Sequence, residues 1–335
     1  MKLMIRMLHR AALLLLACLS VSVLSSCGAE AVSEKETAPS PETNGAPTEA
    51  ETSRETEETF PAVPAPDAEA VRNHEKLSLW DEDNIPFAME NGGRDATIQP
   101  FLLDGADASV VIFPGGGYFQ LSEESEGIAV AKAYNALGFN AFVVCYRYEP
   151  YDGRAILADG QRAVQYVRYY AQSFGVDPGK IALCGFSAGG HLSVMVAEHD
   201  PDGNPAGDAI GACSASPNAC ILAYPVTTLG DGTYVTMPRI FLGEKDKDAE
   251  EIAKYSYPTN LDRMPPTFVF YSERDSLVDY EKNSAAFADA MRAAGKTVVC
   301  KSYPDGEHGV GLGTAYHEYS AWVSDSVKFL KDNGF

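Results

Sequence analysis

Short, continuous apolar runs recur along the second two-thirds of this chain, and stretches with helical spacing separate them. The runs fall at Ser109–Phe113, Asn140–Tyr146, Lys180–Phe186, Ala219–Tyr224, Pro266–Tyr271 and Thr297–Tyr303. Helical patterns cover Gly127–Leu137, Ala155–Phe174, the stretch from Ala188 to about His199, Tyr280–Ala294 and Tyr316–Lys331. Strands that are apolar throughout, rather than at alternate positions, are covered on both faces. With helices between them, they predict a mostly parallel central sheet with helices on both sides, an α/β fold. Lys76–Trp80 and Ala96–Leu103 read as additional edge strands. Two insertions interrupt the alternation, a helix and loop over Pro201–Asn218 and the segment Thr227–Tyr255, and neither carries a long apolar stripe. In such a sheet, reactive groups collect beyond the carboxyl ends of the strands.

The chain before residue 68 follows a different pattern. Lys2, Arg6 and Arg10 precede an apolar stretch, Ala11–Leu24, that is too short for a comfortable membrane span and reads as an export signal over residues 1–26. Leu24-Ser25-Ser26-Cys27 ends that stretch and resembles the lipobox of bacterial lipoproteins. The resemblance implies cleavage before Cys27, lipid on its thiol, and a protein held at the cell surface or periplasmic face of a bacterial membrane through that anchor. Residues 28–67 contain ten acidic and two basic side chains, six prolines and six threonines. A composition so poor in apolar side chains cannot offset the entropy of ordering, so 27–67 is expected to be a disordered tether and 68–335 the folded α/β domain.

Charge and cysteine usage narrow the function further. The whole chain carries a formal net charge of −21, which repels nucleic acid and anionic polymers and favours neutral substrates. Cys145, Cys184 and Cys300 sit in apolar runs and read as small buried hydrophobes. Cys213 and Cys220 flank a short loop and either form a disulfide or stay free, because spacing alone does not supply the geometry. No cysteine or histidine spacing matches a metal site, so no metal or other cofactor is expected.

Chemistry concentrates around Gly185-Phe186-Ser187-Ala188-Gly189-Gly190, which follows an apolar run and opens a helical pattern. That is the sequence form of a nucleophile elbow, a strained strand-to-helix turn that exposes a serine at a helix N-terminus. A serine hydroxyl needs a base, and the base needs a carboxylate to orient it. His308 lies in a loop after the last strand-like run, where an imidazole can hang over the strand ends. His74, His191, His199 and His317 precede the sheet or fall in helices. Asp275 follows the preceding run. Glu273 and Asp279 compete with it, and Leu277-Val278 is expected to pack inward and leave Asp275 facing the imidazole. Oxyanion donors are expected from the N–H of Ala188 and from Gly116 or Gly117 in Pro114-Gly115-Gly116-Gly117-Tyr118. No Gly-Lys-Ser/Thr follows these glycines, which disfavours a phosphate loop. Tyr118, Tyr148, Tyr224 and Tyr271 fall near strand ends. Ordinary packing accounts best for the last two, and Tyr118 is the one expected to touch substrate. His191 either reaches the rim of the site or packs inside its helix.

From about residue 96 to 314 the chain resembles the esterase and lipase part of the α/β-hydrolase superfamily, most of all the bacterial branch with acetylxylan esterases and feruloyl-esterase-like domains. The resemblance rests on the glycine loop and elbow, on Tyr146-Arg147-Tyr148, Asp159-Gly160-Gln161-Arg162-Ala163, Tyr224-Pro225-Val226, Phe241-Leu242-Gly243, Pro265-Pro266-Thr267 and Asp275. It implies an α/β-hydrolase fold, a nucleophile, acid and base at Ser187, Asp275 and His308, and ester hydrolysis on an acetylated carbohydrate of the xylan type. Two positions depart from the pattern. Pro114 stands where lipase-like relatives carry histidine, and Asp279 where the acetylxylan-esterase branch carries proline. Prolyl-oligopeptidase-type peptidases share the elbow and triad order but carry an additional gating domain, for which this chain is short. A surface protein using the fold only for binding would not need all three of Ser187, Asp275 and His308.

Overall fold

A computed structural model describes residue 60 and residues 62–335, apart from 91–92, 201–203, 234–235 and 258. The export segment, Cys27 and the tether as far as residue 59 lie outside the described residues. Among the described residues, eight strands form one sheet: β1 (Leu77–Ser78), β2 (Thr97–Phe101), β3 (Ser109–Phe113), β4 (Asn140–Cys145), β5 (Ile181–Phe186), β6 (Ala219–Ala223), β7 (Thr267–Ser272) and β8 (Val298–Tyr303). Their order is β1-β2-β4-β3-β5-β6-β7-β8, parallel from β4 to β8, with β1 and β2 antiparallel at one edge.

Every residue of β3, β4, β5 and β6 is buried, as continuous apolarity requires. Side chains alternate across the sheet and feed two cores. Val111, Phe113, Leu183, Leu222 and Val269 pack with the helices Gly153–Tyr169, Ala188–Glu198 and Ala286–Ala293. Val110, Ile112, Cys184, Ile221 and Phe270 pack on the other face with the helices Ala129–Ala136 and Trp322–Asp332. β8 is the far edge and is only partly buried, which leaves Cys300 half-buried rather than in the core.

Several elements differ from the expectation. The helical pattern over Ala155–Phe174 divides into Gly153–Tyr169, capped by the Asp152 side chain, and a single turn, Ala171–Phe174, because Tyr170 leaves helical geometry. The pattern over Tyr316–Lys331 becomes a helix only at Trp322, after a short 3₁₀ turn at Tyr319–Ala321, so His317 sits in a turn and not in the helix. The described part of Pro201–Asn218 is a run of turns, without the helix expected there. Thr227–Tyr255 carries two short helices, Met237–Leu242 and Ala249–Lys254, too brief to impose a periodic pattern. Two residues assigned to the tether are bound to the domain: the Val63 N–H donates to Tyr169 Oη at 3.0 Å, and Tyr170 Oη donates to the Pro64 carbonyl at 2.8 Å.

Candidate active site

β5 ends at Phe186, and the next residue turns the chain sharply. Ser187 has φ 51° and ψ −113°, a backbone conformation that side chains other than glycine rarely adopt. The glycines around it make that turn possible. A β-carbon on Gly185 would lie 2.2 Å from the Gly189 carbonyl oxygen, and one on Gly189 would lie 2.0 Å from the Phe113 carbonyl oxygen. The Ser187 N–H is fixed by the Ala223 carbonyl at 3.0 Å, and the helix Ala188–Glu198 begins immediately after.

Two loops from neighbouring strands deliver the partners. His308 follows β8, and its Nε2 lies 2.8 Å from Ser187 Oγ. Asp275 follows β7, and its Oδ2 lies 2.7 Å from His308 Nδ1. The other carboxylate oxygen, Oδ1, accepts the N–H groups of Leu277 and Val278, each at 2.9 Å. Those two bonds hold the carboxylate in one orientation. Asp279 is engaged elsewhere, accepting the N–H groups of Glu281 and Lys282 at the start of the next helical turn. Val278 packs inward as expected, whereas Leu277 is half exposed and lines the cavity above the serine.

That cavity, about 290 Å³, is walled by Gly116, Gly117, Phe119, Met237, Leu277 and Val278 around Ser187 and His308. Gly116 and Gly117 both have positive φ, 132° and 62°, and a β-carbon on Gly116 would lie 2.1 Å from the Gln120 carbonyl oxygen. The glycine loop is anchored from behind, where Tyr146 Oη donates to the Pro114 carbonyl at 2.6 Å. Across the serine, the N–H of Ala188 belongs to the first turn of a helix, where backbone donors have no intrahelical acceptor. The three positions expected to hold an oxyanion therefore border the reactive hydroxyl.

A carboxylate that the sequence did not single out lines the same cavity and holds this loop. Glu126 is buried; its Oε2 accepts the Gly115 N–H at 2.8 Å and its Oε1 accepts Tyr224 Oη at 2.6 Å. Burial raises its pKa, opposed by those two hydrogen bonds and by the nearby His308. Its one sequence signal was position, a few residues beyond the glycine loop in an otherwise polar stretch.

The aromatic and histidine contacts expected with substrate need correction. Tyr118 is fully buried, and its hydroxyl lies 2.7 Å from Nδ1 of His191, which is also fully buried. His191 Nε2 lies 2.8 Å from the Tyr255 carbonyl, so Nε2 donates there and Nδ1 accepts from the tyrosine. Burial lowers the His191 pKa to about 4, which keeps the ring neutral. Both residues are internal struts rather than substrate contacts. Tyr148 is likewise absent from the cavity wall and stacks against the Arg94 guanidinium, 3.6 Å from the ring centre. Tyr224 backs the His308 ring at 4.8 Å between centroids. Arg147 and Asp159 form a fully buried ion pair at 2.7 Å, with Trp80 Nε1 also donating to Asp159.

Cys213 and Cys220 are free, Cys220 enclosed within β6 and Cys213 in a turn outside the strand. Among the described residues, no group of three or more His, Cys, Asp or Glu could hold a metal ion, and no helix is long and apolar enough to cross a membrane.

Residues 110–312 match the family described as alpha/beta hydrolase fold. The chain is 31% identical over 227 residues to an acetylxylan esterase of Xylanibacter ruminicola, covering 67% of this chain and 45% of that protein. It is also 31% identical over 268 residues to endo-1,4-beta-xylanase B of Butyrivibrio fibrisolvens, covering 78% of this chain and 41% of that one. The chain thus spans less than half the length of these curated relatives. Among solved structures, an acetyl ester-xyloside bifunctional hydrolase from Caldicellulosiruptor lactoaceticus superposes with a TM-score of 0.73 at 31% identity, over 78% of this chain and 97% of that one.

Proposed function

Because the chain belongs to the α/β-hydrolase family, we propose that it hydrolyses carboxylic esters through an acyl-enzyme on Ser187, and that its substrates are acetylated xylan-type oligosaccharides. The observation that carries this reading is the unbroken line from Ser187 Oγ through His308 to Asp275, opening into a cavity bordered by the glycine loop. His308 accepts the serine proton at Nε2 while its Nδ1–H stays on Asp275, so the hydroxyl attacks the ester carbonyl as an alkoxide forms. Negative charge gathers on the carbonyl oxygen, where the N–H of Ala188 and that of Gly116 or Gly117 receive it. The sugar hydroxyl then leaves with the proton from His308. Water, deprotonated by the same imidazole, releases the acyl group.

Cavity shape and relatives support the acetyl group and the sugar. Phe119, Met237, Leu277 and Val278 give an apolar wall, and about 290 Å³ suits a short acyl chain better than a fatty one. The acetylxylan esterase, 31% identical over 227 residues, and the acetyl ester-xyloside hydrolase, which superposes over 78% of the chain, both point to acetyl esters of xylan-type sugars. The lipobox-like Leu24-Ser25-Ser26-Cys27 supports a place at the cell surface, which suits a polymeric substrate outside the cell. The test is acetate release from acetylated xylan alongside a p-nitrophenyl ester series. Acetyl esters should be preferred, and Ser187→Ala should be inactive. Preference for octanoyl or longer esters would rule out the deacetylase reading, and cleavage of prolyl amides would favour a peptidase.

A further inference from the structure

Glu126 has no part in the proton transfers above, yet it touches the glycine loop and lines the cavity that holds Ser187 and His308. Its Oε2 holds the Gly115 N–H at 2.8 Å, directly before the two glycines that border the oxyanion position. Its Oε1 accepts the Tyr224 hydroxyl at 2.6 Å, and that hydroxyl in turn accepts the Gly311 N–H at 3.2 Å, in the loop that carries His308. The Tyr224 ring rests on the imidazole, 4.8 Å between centroids. A β-carbon on Gly309 would stand 4.0 Å from Glu126 Oε1, and one on Gly115 would stand 2.7 Å from Oε2 and 3.1 Å from the Ser187 β-carbon. One carboxylate therefore spans the glycine loop and the histidine loop.

Its surroundings show what the charge is for. The ionisable groups that sense it are His308 and four neutral side chains, Tyr146, Tyr224, Tyr319 and Cys184. A buried carboxylate normally has a cation beside it. Here the facing side chain that the mechanism makes cationic is His308, when it takes the serine proton. Two carboxylates then flank the imidazolium: Asp275 by direct contact, and Glu126 at longer range.

We propose that Glu126 is a positioning residue that fixes the oxyanion loop to the base loop and stabilises the imidazolium form of His308 during acyl transfer. The proposal rests on the reading of Ser187 and His308 as nucleophile and base. No bond beyond those of that mechanism is made or broken; the serine proton moves to His308 Nε2, and Glu126 remains an acceptor of two hydrogen bonds throughout.

The experiment uses the full-length protein reacted with a small organophosphonate, which leaves an adduct on Ser187 with His308 protonated beside it. The downfield proton resonance of that imidazolium is followed against pH in the wild type and in Glu126→Gln, which keeps the shape and removes the charge. In the variant the resonance should disappear at least about one pH unit lower, because the imidazolium has lost an anion. kcat for p-nitrophenyl acetate should fall by about tenfold or more while KM changes little, since the lost interaction belongs to the charged transition state. Loss of the resonance within about 0.3 pH unit of the wild type would overturn the proposal, even if the variant melts earlier. Should the glutamine variant not fold, Glu126→Asp keeps the charge and shortens the reach. Unchanged kcat in that protein would overturn the tethering role. Absence of an adduct on the wild-type protein would defeat the serine-hydrolase reading beneath it instead.

Discussion

Replacing Asp275 by asparagine tests the site at its most constrained point. Oδ1 of Asp275 accepts two backbone N–H groups, from Leu277 and Val278, and Oδ2 faces His308 Nδ1. In Asp275→Asn the amide oxygen must stay on the two N–H groups, because an NH₂ there would set donors against donors, each unmet bond costing about 1–3 kcal/mol. The amide nitrogen is then forced towards His308. It donates to Nδ1, so the imidazole proton moves to Nε2 and points at Ser187 Oγ. An imidazole in that tautomer cannot take the serine proton. The side chain keeps its size and its loop contacts, so the loss is one of tautomer rather than of structure. Removing the correct tautomer elsewhere costs about 10⁴ in kcat, or about 5.5 kcal/mol of transition-state stabilisation. Steady-state hydrolysis of p-nitrophenyl acetate, normalised to folded protein by circular dichroism, measures it directly. A folded Asp275→Asn protein retaining more than about one-tenth of wild-type kcat would refute the reasoning.

Other outcomes follow from the buried polar groups. Tyr118→Phe deletes the hydroxyl that donates to His191, and urea unfolding should show a loss of about 1–3 kcal/mol with KM for small esters unchanged; a severalfold rise in KM would return Tyr118 to the substrate site. Asp159→Asn breaks a fully buried ion pair and should cost about 3–5 kcal/mol by the same assay, whereas a loss under about 1 kcal/mol would mean that Arg147 finds other partners. Gly185→Ala drives a β-carbon to 2.2 Å from the Gly189 carbonyl oxygen and should leave no soluble folded protein, so normal expression and activity would contradict the elbow packing. Burial raises the Glu198 pKa to about 7, above its ordinary 4.5, so the folded state holds this proton to higher pH than the unfolded chain does. The stability it contributes is present at low pH and declines as pH rises from about 4.5 through 7. Glu198→Gln should therefore raise the melting temperature at about pH 8 and change it less at about pH 5; equal shifts at both would remove the burial argument.

The parallel sheet was legible because continuous apolar strands declare burial on both faces, and β3 to β6 obeyed that rule at every residue. Ser187, Asp275 and His308 were legible for a related reason. Each stands a few residues past the end of a strand of the parallel sheet, the last of them the partly buried edge strand β8, so the topology brings them to one end of the sheet. Tyr118 and His191 misled because strand-end position does not tell which way a side chain turns. Tyr118, at φ 64°, turns inward, where its hydroxyl meets a neutral imidazole. Glu126 gave almost no sequence signal, since its role depends on Tyr224 and Gly115, far from it along the chain or on the other side of a turn. The short helices Met237–Leu242 and Ala249–Lys254 were missed because a pattern needs more than one or two turns to show its period.

The helix Gly153–Tyr169 runs back from the strand ends that present Ser187 to the opposite pole of the sheet, and there Tyr169 and Tyr170 grip Val63 and Pro64. The polypeptide therefore joins the domain behind the reactive mouth. The cavity above Ser187 is left clear of this entering segment, whose described residues pack at the far end of the helix and none of which lines that cavity.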